Sequence, residues 1–526
     1  MAQSYRQVLG ALLALGASAS AQEGSYWDTL PLPGPLTAPV VAFGTNLTLR
    51  TATDVWLYSG ILRTWTQVPA APTAAVYSEY NDHVIVRDGK SNAAEALLTK
   101  TINSYSHKPD DLASLKRLLS FALETTGRYR DSLDALAEYE TAESRAELSP
   151  KTEILVRKQL GIALSNAGDQ PKAITLLKDT LETAEDGELS PLAGSVDIAL
   201  ARVYRKLSEY PISRDYAERS LNYFRNNGDW LGMAEAYREI ANSLHQEGHS
   251  DKAIEYFELG IKIIGNNSAP FMLGKLYTDM SGAYWFLRRP QDGIECLEKS
   301  IAFFDKTEHA LNSVIAYNNL GINLTLIGDW GKAEEMILKA LETAEKQENN
   351  AHVIGILDSL AELMILRGDT DEAEKLLERS ISIAQEIKRP FYEIQALRNL
   401  ARLYLAQNKF DAAIEKANET IEFAAELGDS HFPLMARLIL AEANLQKGEV
   451  EKCVDELDEI EKGEPSSDFF VLGHIQRIRG LVALTDKDSE LAVHHFSRGL
   501  TIFEAASDLY HTGIMHFLIG INLAAD

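Results

Sequence analysis

IAYNNLGINLTLIGDWGKAEEMILKALETAEK, residues 315–346, holds the pattern from which the rest of the chain is built. Two apolar stretches with helical spacing flank Gly328-Asp329. Glycine can take the left-handed conformation that ends a helix, and aspartate is a good N-cap for the next one. The segment therefore reads as helix, tight turn, helix. Small residues at Gly321 and Ala333 mark where the two helices approach closely, and Leu320 fills the shared core. Moving outward, the small slot recurs in steps of 40 at Gly161, Ala201, Ala241, Ser281, Gly321, Ala361, Ala401 and Ala441. Ser120, Gly480 and Gly520 extend it with steps within one residue of that period. The turn recurs at Gly127, Gly168, Ser208, Gly248, Arg288, Gly328, Gly368, Asn408 and Gly448, with a small residue five positions further on. Pro171, Pro211 and Pro290 fall in the first turn of second helices, where a missing N–H costs little. One helix pair cannot bury its apolar face alone, so neighbours must stack.

The pattern resembles the tetratricopeptide repeat (TPR). Tyr237, Tyr277 and Tyr317 stand in the bulky slot, and Leu160-Gly161 and Leu320-Gly321 keep the Leu-Gly pair. Tyr204, Tyr284 and Tyr404 fill the Tyr slot, Ala253 with Phe257 and Ala340-Leu341 the second helix, and Pro390 and Pro433 sit near the terminal proline. The departure is length, 40 residues against the usual 34, or about 4.5 Å more per helix. The resemblance implies a mainly α fold over residues 91–526: a right-handed TPR-type α-solenoid of about ten helix pairs plus a terminal helix, Ile514–Ala525. Phe517, Leu518 and Ile521 do not give that helix the polar outer face of a cap.

Before residue 91 the composition changes. Residues 1–90 are nearly neutral, whereas the 526-residue chain carries a net charge of −26, and three of the six tryptophans (Trp27, Trp56, Trp65) lie here. Short β-branched and aromatic runs at 39–43, 47–51, 54–59, 61–67, 74–78 and 83–87 read as strands, so 22–90 forms a small β-rich segment. Asp54–Tyr58 with Thr64–Pro69 resembles the middle of a kelch-type propeller blade, too little to close a propeller. Val8–Ala19 is apolar or small and is followed by Ala19-Ser20-Ala21, the layout of a secretory signal peptide over 1–21. The expectation is an exported chain beginning at Gln22; the alternative is an N-terminal helix of a cytoplasmic protein.

The acidic balance, 77 Asp and Glu against 51 Lys and Arg, repels phosphates and excludes a general nucleic-acid binder. No apolar run reaches the length of a membrane span. Cys296 and Cys453 fall at packing positions and are expected to be inert. Signatures of phosphate loops, serine nucleophiles, zinc proteases and calcium loops are missing, so no enzyme, cofactor or metal is expected. His245 and His249 are separated by the helix-breaking Gly248.

One face of the first helices, at −6, −3, +1 and +4 from the small slot, looks away from the core. The resemblance makes it the concave groove that holds an extended peptide. It carries Lys158, Arg202, Arg205, Arg238, Asn242, His245, Trp285, Asn318, Arg398 and Arg402, with Lys206 adjacent. The bland reading is a solvated helix face. The sharper one is a basic, amide-rich lane selecting an acidic, extended protein or peptide, with Trp285 as an aromatic anchor. Charge reversal at Arg202, Arg205, Arg238 and Arg402 is then expected to weaken binding and leave the fold intact. Ile162 stands where the family's carboxylate clamp for chaperone tails needs Asn. The expected function is a non-enzymatic interaction scaffold. The alternative is a ligand- or peptide-sensing arm of a larger bacterial transcriptional regulator or signalling enzyme, with the output domain after residue 526.

Overall fold

The computed structural model describes the backbone of six strands between residues 41 and 86 and short pieces between 95 and 103. It also describes residues 108–523, apart from 126–127, 188, 266–268, 306–309, 347–348, 388, 428–430 and 463–468. The signal-like segment and the Gly127 turn lie outside the described residues. Strands β1 (Val41–Phe43), β2 (Asn46–Arg50), β3 (Asp54–Ser59) and β4 (Thr64–Pro69) pair antiparallel in chain order. β5 (Val76–Glu79) and β6 (His83–Val86) pair separately, and each of the six strands overlaps one of the runs expected to be extended.

Nine regular helix hairpins follow among the described residues. They are α4 (Pro150–Ala167) with α5 (Gln170–Asp186), α6 (Ser190–Lys206) with α7 (Tyr210–Asn226), and α8 (Trp230–Gln246) with α9 (Ser250–Ile264). Next come α10 (Pro270–Phe286) with α11 (Pro290–Phe304), α12 (Ala310–Leu326) with α13 (Trp330–Lys346), and α14 (Asn350–Arg367) with α15 (Thr370–Glu386). The last three are α16 (Pro390–Ala406) with α17 (Phe410–Leu427), α18 (His431–Gln446) with α19 (Val450–Lys462), and α20 (Phe469–Thr485) with α21 (Ser489–Ala505). The terminal helix α22 spans Leu509–Leu523, beginning earlier than expected, and Phe517 on it is 65% exposed. The helices form an α-solenoid in two compact units. One comprises Met1–Ala283 with Lys299–Asn312 and Lys346–Glu348; the other comprises Tyr284–Glu298, Ser313–Glu345 and Asn349–Asp526.

The first repeat corrects the expectation of ten full pairs. Its first helix, α1 (Pro109–Thr125), is regular, but the second breaks into α2 (Tyr129–Asp134), a 3₁₀ turn at Ala137–Glu140 and α3 (Ala142–Arg145). The buried Arg145 guanidinium explains the break. Its Nη1 donates to the carbonyls of Tyr139 (2.6 Å) and Glu140 (2.8 Å), and Thr141 caps the new turn by accepting from the Ser144 N–H. Those carbonyls would have continued the helix.

Elsewhere the turn chemistry is as expected. Gly168, Gly248, Gly328, Gly368 and Gly448 have φ between 81° and 101°. The N–H groups of Asp169, Asp329 and Asp369 reach back to Leu164, Leu324 and Met364 at 2.9–3.0 Å, closing each first helix. Asp169 then caps Lys172. Asp369 instead turns its carboxylate to Arg367, so it does not cap. Pro390 is the first residue of α16, and Pro433 lies in the first turn of α18 rather than ending a second helix.

The small slots face one position of the second helix, 16 residues on. Leu177, Ala217, Phe257, Leu297, Ile337, Leu377, Ala417 and Leu457 are all fully buried. Large residues sit opposite Gly or a small side chain, and Ala217 and Ala417 oppose Ala201 and Ala401. A Cβ on Gly161 would lie 2.6 Å from Leu177 Cγ, and one on Gly480 would strike the Phe496 ring. At one of these interfaces the Ser213 hydroxyl donates to the Ala201 carbonyl at 2.8 Å.

This predicts opposite signs for one chemical change. Gly161→Ala should destabilise by about 1–3 kcal/mol through overpacking. Gly513→Ala, in α22 with open space around it, should stabilise by about 0.5–1 kcal/mol through helix propensity. Urea titrations of both variants check this; equal effects would contradict the packing account.

Candidate functional site: the inner face of the first helices

In the first unit the structure brings Arg202, Arg205 and Arg238 together, but around an acid. Glu239 is 1% exposed, and its carboxylate lies 2.9 Å from Arg202 Nε, 3.5 Å from Arg205 Nε and 3.6 Å from Arg238 Nη1. Arg202 also donates to Glu235 (2.7 Å), while Arg238 Nε and the Asn242 amide both lie against Asp279, at 2.7 and 3.0 Å. Lys206 reaches Asn166, which donates to Glu124. His245 Nδ1 is 2.8 Å from the Ser250 hydroxyl, and Lys158 is buried in α4. Burial would raise the Glu239 carboxyl, but Arg202, Arg205 and Arg238 outweigh it and hold it at about 2.

This revises the basic lane. Charge reversal at Arg202, Arg205 and Arg238 would surround Glu239, Glu235 and Asp279 with further carboxylates, so the fold would not survive it unharmed. The sequence reading missed these acids although Glu235, like Glu124, occupies a face slot, −6 and +4 from Ala241 and Ser120. Reading every repeat at the same slots, acidic residues included, would have found Glu235 and Glu124, but not Glu239 and Asp279, which stand at −2.

In the second unit the same face lines a cavity of about 990 Å³. It brings together three of the expected residues, Trp285, Arg398 and Arg402, and adds Arg288, Glu362, Glu442 and His474. Apolar side chains supply the rest, chiefly Leu405, Met435, Leu438, Phe469, Phe470 and Leu472. Asn318 is not among the lining residues, and its Oδ1 is buried without a hydrogen-bond partner among the described residues.

One wall is closed by contacts between distant repeats. Arg288 holds φ 59° at the α10–α11 turn, where most repeats carry glycine. Its guanidinium carbon lies 3.3 Å from the centroid of the Phe469 ring and 4.8 Å from that of Trp285. The Ser507 hydroxyl donates to the Arg288 carbonyl at 3.2 Å, and the rings of Trp330 and Tyr510 lie 6.0 Å apart.

The charges inside are unevenly matched. Arg402 donates to Glu362 at 2.8 Å, and burial of Glu362 is outweighed by Arg402 and Arg398, which lower its carboxyl. Arg477 grips Glu442 through both terminal nitrogens. Arg398 has no carboxylate within ion-pairing distance among the described residues; its Nη2 donates to the neutral Asn399 side chain at 2.8 Å. His474 is held neutral, its pKa driven well below 6.5 by burial and then by His511, Arg477 and Arg402. His511 pairs with the buried Asp508 at 2.7 Å.

Two family models match: a MalT-like TPR region at residues 302–525 and a tetratricopeptide repeat at residues 193–264. The helical region of this chain is a TPR solenoid. Among solved structures, the TPR solenoid is similar to a Rap protein complexed with competence and sporulation factor, at 18% identity and a TM-score of 0.50, covering 68% of this chain and 99% of that one. It is also similar to the apo form of the quorum sensor NprR from B. thuringiensis, at 14% identity, TM-score 0.45, with 62% and 91% covered. A third likeness is to a STAND protein with a tetratricopeptide repeat sensor from Pyrococcus horikoshii, at 13% identity, TM-score 0.44, with 81% and 67% covered. These likenesses concern the fold. Comparison with curated proteins finds no significant match. No helix among the described residues is long and apolar enough to cross a membrane.

The Glu239 cluster gives a pH prediction. A carboxyl held at about 2 contributes stability that is complete above its ordinary value of 4.5 and is lost as pH falls toward 2. Glu239→Gln should cost about 3–5 kcal/mol at pH 7, because buried guanidinium groups lose their partner. Its stability should also fall less steeply than the parent's below pH 4.5. Urea titrations across that range check this; parallel pH profiles would contradict it.

Proposed function

We propose that this TPR solenoid is a non-enzymatic interaction scaffold that binds a protein or peptide on its inner helix face, with the cavity of the second unit as the docking site. The observation that carries the reading is the cavity itself. Aromatic and aliphatic side chains line it beside three guanidinium groups, and apolar pockets with a few convergent polar groups are the usual form of a binding site. The Rap protein of similar fold was solved with competence and sporulation factor bound, which supports a binding role for such a solenoid. It is part of this proposal that the signal-like start at Val8–Ala21 sends the chain out of the cytoplasm to meet its partner.

A second reading uses the same cavity: a ligand- or peptide-sensing arm of a larger bacterial transcriptional regulator or signalling enzyme. The cavity volume, at the upper end for small-molecule sites, favours it. A reading frame continuing past Asp526 into an output domain would select this alternative.

The test is to select binders from a displayed library of random decapeptides and map the footprint by hydrogen exchange. Protection should fall on α14, α16, α18 and α20 and weaken as salt rises, since partly exposed charges are screened over about 8–10 Å. Protection confined to α15, α17 and α19 would place the site on the outer helices and overturn the reading.

A further inference from the structure

We infer that the cavity selects an apolar peptide bearing a single carboxylate, and that this carboxylate pairs with Arg398. The inference rests on the reading of the cavity as a peptide site and names what that site recognises.

It starts from the bonds already made. Each carboxylate lining the cavity has its own arginine: Glu362 has Arg402, and Glu442 has both terminal nitrogens of Arg477. Asp358, behind the wall, is buried and takes two amide donors, from Asn399 at 2.6 Å and from Gln395. Asn399 is thereby fixed with its amide nitrogen on Asp358 and its oxygen on Arg398. The Arg398 fork spends Nε and Nη2 on that one oxygen, at 3.3 and 2.8 Å, and its Nη1 has no acceptor among the described residues. A guanidinium offers five N–H donors in a planar fork that matches a carboxylate. Arg398 is thus a positioned cation with an uncommitted edge on a cavity wall.

Charge limits the ligand to one such group. The chain carries −26 overall, a field that opposes multiply charged anions. Arg288, the remaining lining guanidinium, is stacked against Phe469 and Trp285 with its Nη1 buried, which leaves Arg398 as the fork open to a ligand. The imidazole of His474 is neutral and brings no second cation. Leu405, Met435, Leu438, Phe469, Phe470 and Leu472 surround the rest of the ligand, so its remainder is apolar. A carboxylate of this kind comes from a peptide C-terminus or from one Asp or Glu side chain.

The test uses the full chain and four pools of N-acetylated hydrophobic heptapeptides. They end in a free carboxylate or an amide, with or without one internal glutamate. Capture is quantified by mass spectrometry for the parent, for Arg398→Gln and for Leu472→Trp, a half-buried lining position filled with bulk; thermal melts verify that each variant folds. The parent should enrich carboxylate-bearing peptides about tenfold over fully neutral ones, as a charge-assisted hydrogen bond allows. Arg398→Gln should remove that preference while still capturing neutral peptides. The amide and glutamate arms show which source of carboxylate is used. Equal capture of neutral and acidic pools by the parent, or an undiminished preference in Arg398→Gln, overturns the assignment while leaving the cavity reading intact. Capture unchanged in Leu472→Trp, or no capture of any pool by the parent, overturns the cavity reading and the assignment with it.

Discussion

The structure depends on one recurring contact: a small residue of each first helix pressed against a side chain 16 positions on in its partner. Leu177 lies where a Cβ on Gly161 would have to be, and the series from Leu177 to Leu457 is fully buried at this position. Because interiors are packed near crystal density, a methyl group too many at such a point forces both helices apart. The contact fixes how each hairpin closes, and so which face of the first helix stays available. The −6, −3, +1 and +4 positions inherit their role from it.

What occupies those positions is governed by the cost of leaving charges unpaired. In the first unit, Glu239 is buried among three arginines, and the cluster is satisfied internally with Glu235 and Asp279. Breaking such a buried set costs more than the set contributes over apolar packing. In the second unit the same economy is incomplete, because Arg398 takes an amide oxygen where its neighbours take carboxylates. The sequence-level lane of positive charge therefore splits into a structural cluster and a cavity in which, among the described residues, Arg402 is paired with a carboxylate and Arg398 is not.

The fold was legible because the 40-residue period is carried by steric necessities: glycine or another left-handed residue at the turn, a small residue at the close approach, proline where no N–H is needed. The broken second helix of the first repeat was not, since it turns on Arg145 capturing the carbonyls of Tyr139 and Glu140. Part of the site was visible as well. Trp285, Arg398 and Arg402 fall on the expected face and meet in one cavity. Arg288 was legible only as a turn residue. Its role as a clasp depends on Phe469 and Ser507, the latter 219 residues away. Nothing within a single repeat encodes a contact that distant; it emerges from curvature summed over five hairpins.

The central claim is that this summed curvature closes the second unit around the cavity. Spin labels on Arg289 and Leu509, both exposed, the first beside Arg288 and the second beside Tyr510, report on it directly by electron–electron double resonance. An uncurved stack of five hairpins, each adding about 10 Å, would hold the labels about 50 Å apart. The account predicts one narrow population at the short distance that neighbouring turns allow. A broad distribution, or a mean near that of the open stack, would contradict it.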